Sequence, residues 1–119
     1  MQINITHQNF DLTEAIKNYA IQKLSLVDRH IKNSEEAVMN VEIGRVSLHH
    51  KNGNRYEVKI HLRIGSRNLH IESVHEDAYA SIDEARDKLS NEISSSGDRE
   101  RSIVKKLARR FKNFVKMGN

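Results

Sequence analysis

Two hydrophobic periods alternate along this chain. From Gln2 to Thr6, Ile3 and Ile5 fall on one side of a two-residue repeat, the mark of a short strand. Thr13 can cap a helix, and Glu14 suits the positive end of that helix's dipole. Ile16, Tyr19 or Ala20, Leu24, Val27 and Ile31 then recur at helical spacing, which predicts a first helix continuing to about residue 31; Asn33 and Ser34 break it. Met39, Val41 and Ile43 alternate with Asn40 and Glu42, predicting a strand over 37–47. Lys51-Asn52-Gly53-Asn54 is a hairpin signal, because Asn-Gly accepts positive φ. Tyr56, Val58, Ile60, Leu62 and Ile64 alternate with Glu57, Lys59, His61 and Arg63, a strand with one buried and one polar face. Gly65-Ser66 marks a second turn, and Leu69 and Ile71 continue a further antiparallel strand. Asp77 can cap a second helix from about 77 to about 94, with its apolar stripe at Ala78, Ile82, Ala85, Leu89 and Ile93. Tyr79, in its first turn, can pack its ring and keep its hydroxyl wet.

The order β-α-β-β-β-α predicts an α+β two-layer sandwich. Two helices bury their stripes on one face of a four-stranded mixed sheet. The first crossover is expected to be right-handed and to make the first two strands parallel, with hairpins making the rest antiparallel. Ser94-Ser95-Ser96-Gly97-Asp98 reads as a joint, which divides the chain into an α+β domain over 1–95 and a tail over 96–119. In the tail, Ile103, Leu107, Phe111 and Phe114 keep helical spacing among Lys105, Lys106, Arg109, Arg110, Lys112 and Lys116. This is a basic amphipathic helix, or a flexible segment that orders on a surface, since so short a helix is marginal alone.

The formal net charge of +4 hides an asymmetry. Residues 97–119 carry eight Lys/Arg against two Asp/Glu, a balance of +6; the other 96 residues carry twelve against fourteen. Such a tail calls for a polyanionic partner. The apolar runs fall far short of the ~20 residues that span a bilayer. Met1-Gln2-Ile3-Asn4-Ile5 has no signal-peptide character, and the absence of cysteine suits a reducing cytoplasm.

Catalytic chemistry finds no footing. The chain has no G-x-S-x-G, P-loop or dinucleotide-binding motif. His75 and Glu76 sit at a strand-to-helix junction, where capping or packing is the simpler role. The seven histidines include adjacent His49 and His50 but no His-x-x-x-His pair, so neither a metal nor another cofactor is expected. Asp83 with Arg86, or Glu84 with Lys88, would form ordinary solvated ion pairs. RNA binding is better supported. Lys17, Lys23, Arg29 and Lys32 lie along the first helix and Arg86 and Lys88 on the second, so that helices packed side by side offer a basic strip to phosphates. The plain alternative for these residues is a solvated surface, and for the tail a membrane-surface helix.

Glu72-Ser73-Val74-His75-Glu76-Asp77-Ala78-Tyr79-Ala80-Ser81-Ile82-Asp83 resembles the His-Glu-Asp-x-Tyr-x-x-Ile-Asp/Asn signature of the ribosome hibernation factors, also called ribosome-associated inhibitor or sigma-54 modulation proteins. Met1-Gln2-Ile3-Asn4-Ile5-Thr6, Leu12-Thr13-Glu14-Ala15-Ile16-Lys17 and Asp87-Lys88-Leu89 are similar to the family in the same order. The resemblance spans about residues 1–95. It implies a cytoplasmic stress-response translation inhibitor, not an enzyme, that binds the small ribosomal subunit and its 16S ribosomal RNA. It would occupy the channel of messenger and transfer RNA and be monomeric off the ribosome. Family contacts map onto Lys17, Lys23, Arg29 and Lys88. Asn91, Glu92 and Ser95 stand where the family carries Arg, Gln and Lys, so Lys105, Lys106, Arg109 and Arg110 are expected to supply the missing charge. The chain resembles the family's short form, without the second domain of longer members. The alternatives are a general RNA-binding module or a protein-interaction regulator linked to a sigma factor.

Overall fold

The structure, a computed structural model, describes residues 1–32, 34–47 and 54–95. The tail, the Lys51–Gly53 turn signal, and His49 and His50 lie outside the described residues. Strand β1 (Gln2–Gln8) leads to helix α1 (Glu14–Leu24), whose chain continues as a 3-10 segment over Ser25–His30. A short 3-10 turn, Ser34–Glu36, precedes β2 (Ala37–Ser47), and β3 (Asn54–Ile64) and β4 (Arg67–His75) follow. Helix α2 starts at residue 78 and runs through residue 95. The sheet has the order β1-β2-β3-β4. β1 pairs parallel with β2, and the other two pairings are antiparallel. The α+β arrangement with a mixed four-stranded sheet is the one the order of elements predicts.

Alternation decides which side of the sheet is covered. Met39, Val41 and Ile43 of β2 and Val58, Ile60 and Leu62 of β3 are buried. They share one core with Ala20 and Leu24 of α1 and Ile82, Ala85, Leu89 and Ile93 of α2. The intervening Asn40, His61 and His70 are exposed on the opposite face. There Asn4, Asn40, Lys59, His61 and His70 line a shallow depression of about 250 Å³. That face is not basic, because Lys59 is paired with Glu57 at 3.3 Å and Glu42 and Glu72 stand beside it in register.

Local chemistry sets the boundaries. The Thr13 hydroxyl accepts from the Ile16 amide at 3.2 Å, and the Asp77 carboxylate accepts from the Tyr79 amide at 3.3 Å. Both expected N-caps are therefore in place. Gly65, at φ 60°, occupies the first position of the two-residue β3–β4 turn, where a positive φ favours glycine. The first helix departs from expectation, since its α-helical part ends at Leu24 rather than near 31. The Ser25 hydroxyl donates to the Gln22 carbonyl at 3.1 Å, competing with the regular ladder. Tighter winding beyond it keeps Leu24 and Val27, three apart, on one buried face. Ser94 and Ser95 remain helical, so the expected joint begins no earlier than residue 96.

Candidate nucleic-acid interface

Tyr19 and Asp83 join the two helices. The half-buried Tyr19 hydroxyl donates to the Asp83 carboxylate at 2.7 Å, and the bond holds the phenol's pKa above its ordinary value. Lys23 lies over the Tyr19 ring, 5.5 Å from its centroid, a cation–π contact one helical turn along. The Tyr79 ring meets the Tyr19 ring edge-to-face, with centroids 4.9 Å apart and planes at 81°. Arg86 completes the seam. Its guanidinium donates to Asp87 at 2.7 Å, and this bond, with the fields of Asp87 and Asp83, raises its pKa.

The structure thus brings Lys23 and Arg86 together. It sends Lys88 elsewhere, because helical residues two apart do not share a face. Lys88 Nζ donates to the Glu72 carbonyl of β4 at 2.9 Å and pairs with Glu84 at 3.0 Å. Glu84 also contacts His75, and with Lys88 first among the causes its carboxyl is held below its usual pKa. Of the ion pairs expected on this helix, Glu84–Lys88 forms, whereas Arg86 takes Asp87 and leaves Asp83 to Tyr19. His75 is engaged with Glu84 and Glu76 with Arg55 at 3.8 Å, so the two flank the junction without pairing to each other.

Lys17, Arg29 and Lys32 are exposed. Among the described residues none of the three is in an ion pair. Lys17 precedes Tyr19 by two positions and so lies on the flank of α1 away from the seam. The cations therefore spread across the helical layer. Lys17 stands on one flank, Lys23 and Arg86 at the seam, and Lys88 against β4. Availability differs as well, because Lys17, Arg29 and Lys32 are open to a partner while the cations of α2 are already paired. Lys105, Lys106, Arg109 and Arg110 lie outside the described residues.

The sequence did not single out the Tyr19–Asp83 bond or the Tyr19–Tyr79 pair. The one available signal was the wavering of the first-helix stripe between Tyr19 and Ala20, which marks an edge position. Also unforeseen was a buried pair between β4 and α2. The Ser73 hydroxyl lies 2.6 Å from the Ser81 carbonyl and 2.9 Å from the Ser81 hydroxyl, which in turn reaches the Ser73 carbonyl at 3.3 Å. Among the described residues no cluster of three His, Asp or Glu could hold a metal ion, and no helix is long and apolar enough to cross a membrane.

Comparison with known proteins bears on the family and the fold. Residues 3–101 match the family described as sigma 54 modulation protein / S30EA ribosomal protein. A ribosome hibernation promoting factor of Pseudomonas putida is 29% identical over 112 residues, covering 92% of this chain and 100% of the relative. One from Azotobacter vinelandii is 30% identical over 95 residues, covering 78% of this chain and 79% of the relative. The fold is shared with the N-terminal domain of Protein Y from Thermus thermophilus, at a TM-score of 0.65 and 23% identity over 78% of this chain and 96% of that one. It is shared too with a ribosomal subunit interface protein of Coxiella burnetii, at a TM-score of 0.67 and 17% identity over 82% of this chain and 99% of that one. With a family match across most of its length, this chain belongs to the sigma 54 modulation protein / S30EA ribosomal protein family.

Proposed function

We propose that this protein binds the small ribosomal subunit through the outer surface of its helical layer, occupies the channel of messenger and transfer RNA, and holds the ribosome idle under stress. The observation that carries this reading is the set of exposed cations on the first helix and the segment after it, Lys17, Arg29 and Lys32, which form no ion pair among the described residues, on a chain of this family. The relatives' description as ribosome hibernation promoting factors supports the same reading. Phosphates of 16S ribosomal RNA are the counter-charge such cations take, and the affinity falls with salt as condensed counterions are released. Occlusion requires no catalytic group or cofactor, only a folded body that fits the channel. The protein acts in the cytoplasm, where ribosomes are, and is a monomer when free. Lys105, Lys106, Arg109 and Arg110 of the tail add charge to the same contact.

The test is sedimentation with purified ribosomes at low and moderate salt. Co-migration with the small subunit, lost when messenger and transfer RNA already fill the channel, is the expected result. A protein that stays at the top of the gradient at both salts overturns the proposal. Equal affinity for plain RNA duplex would point to a general RNA-binding module, and co-purification with RNA polymerase instead of ribosomes to a sigma-linked regulator.

A further inference from the structure

Resting on that reading, we propose that the Tyr79 ring is a stacking platform for one unpaired base of the bound RNA. Among the described residues Tyr79 is one of the few large apolar side chains left exposed, at 37%. Its edge-to-face contact with Tyr19 lets that ring cover at most one of its two faces, so at least one face is not taken up by the pair.

The platform is held in advance of binding. Tyr19 is pinned by Asp83 on α2 and overlain by Lys23 on α1, and Tyr79 rests against it from a capped first turn. A ring supported in this way loses little freedom when a base settles on it, which favours affinity.

Charge decides between a base and a phosphate at this point. Lys23 and Arg86 stand at the seam with Asp83 and Asp87, so positive and negative groups balance, and Arg86 is already bonded to Asp87. A phosphate gains little there, whereas a π face attracts any base whatever the local charge balance. The open cations elsewhere on the helical layer, Lys17, Arg29 and Lys32, supply the phosphate attraction. This division of labour, cations along the backbone and aromatic rings under bases, is how unpaired strands are held.

The experiment uses the full chain and purified small ribosomal subunits. The chain has no tryptophan, so Tyr79→Trp places its single tryptophan at the platform, where it can be excited apart from the tyrosines. Binding is expected to quench it while affinity stays within about twofold of wild type. Tyr79→Leu is expected to lower affinity about 5- to 100-fold, the range for losing one base stack, with the slope of log affinity against log salt unchanged. Arg29→Ala, at one of the open cations, serves as the contrast, since losing a phosphate contact makes that slope shallower by about 0.7–0.9. A Trp variant that binds without quenching, a Trp variant that no longer binds, or a Leu variant within twofold of wild type overturns the proposal. If wild type itself fails to bind small subunits, the ribosome reading falls and this inference with it.

Discussion

Asp83 at the helix seam and Ser73 under it each serve a neighbour in space that no sequence pattern names. Ionising Tyr19 would remove the donor of its bond to Asp83 and set two anions side by side, so the neutral phenol is favoured and its pKa is raised. The bond's stability is fully present below the ordinary tyrosine pKa and is lost as pH rises through the raised one. Asp83→Asn should return one tyrosine to its normal range in an ultraviolet absorbance titration; an unchanged curve would deny the bond. For the buried serines, Ser73→Ala removes the bonds of its hydroxyl to Ser81 and leaves the Ser81 hydroxyl its bond to the Ser73 carbonyl, at a cost of about 1 kcal/mol. Ser81→Ala should then cost less in the Ser73→Ala background than in wild type, since the bond between the two hydroxyls is already gone. Urea denaturation of the two single variants and the double variant measures the coupling, and simple additivity would contradict it.

Helices and strands were the most legible level, because their signals are local. The alternation over 37–47 and 56–64 marked two strands whose buried residues are the ones expected. Thr13 and Asp77 cap the helices they were assigned. Replacing either with Ala should cost about 1 kcal/mol by denaturant titration, with the two costs additive because the caps serve separate helices. The end of α1 was less legible, since Val27 and Ile31 fit the spacing of an α-helix as well as that of tighter winding, and only core contact separates the two. The junction of β4 and α2 carries a pH dependence. Lys88, then His75, holds the Glu84 carboxyl below its usual range. Its contribution is therefore present above the ordinary glutamate pKa and is lost as pH falls through the lowered one. Glu84→Gln should be less stable than wild type near neutrality, with the gap in thermal midpoint closing in acid; a gap independent of pH would exclude the charge interaction.

At the scale of the whole molecule the question is which cations remain to meet an RNA. Lys17, Arg29 and Lys32 are open, while Arg86 and Lys88 are held by Asp87 and Glu84. Replacing the first three with Ala should make the salt slope of ribosome binding shallower by about 2–3, at roughly 0.7–0.9 per phosphate contact. Arg86→Ala or Lys88→Ala should change it little, because those side chains answer first to their own carboxylates. Equal slope changes from all five positions would show that the pairs open on binding. Of the candidate site, the residue types and the helices that carry them could be read from sequence. Their grouping could not, because Arg86 and Lys88 differ by two positions on one helix and face different neighbours.

Apart from where α1 ends, the chain's periodicities, caps and turn residues determined by themselves which of the described segments are helix and strand, and with the connection lengths they determined the α+β class. Each depends on residues within a few positions of one another, where backbone geometry fixes which side chains share a face. Tertiary structure alone decided that Tyr19 meets Asp83 and Tyr79, that Ser73 locks onto Ser81, and that Lys88 is tied down while Lys17 is open. Those choices come from how two helices sit against a twisted sheet. Shifts of a few ångströms there change a side chain's partner without altering the sequence pattern.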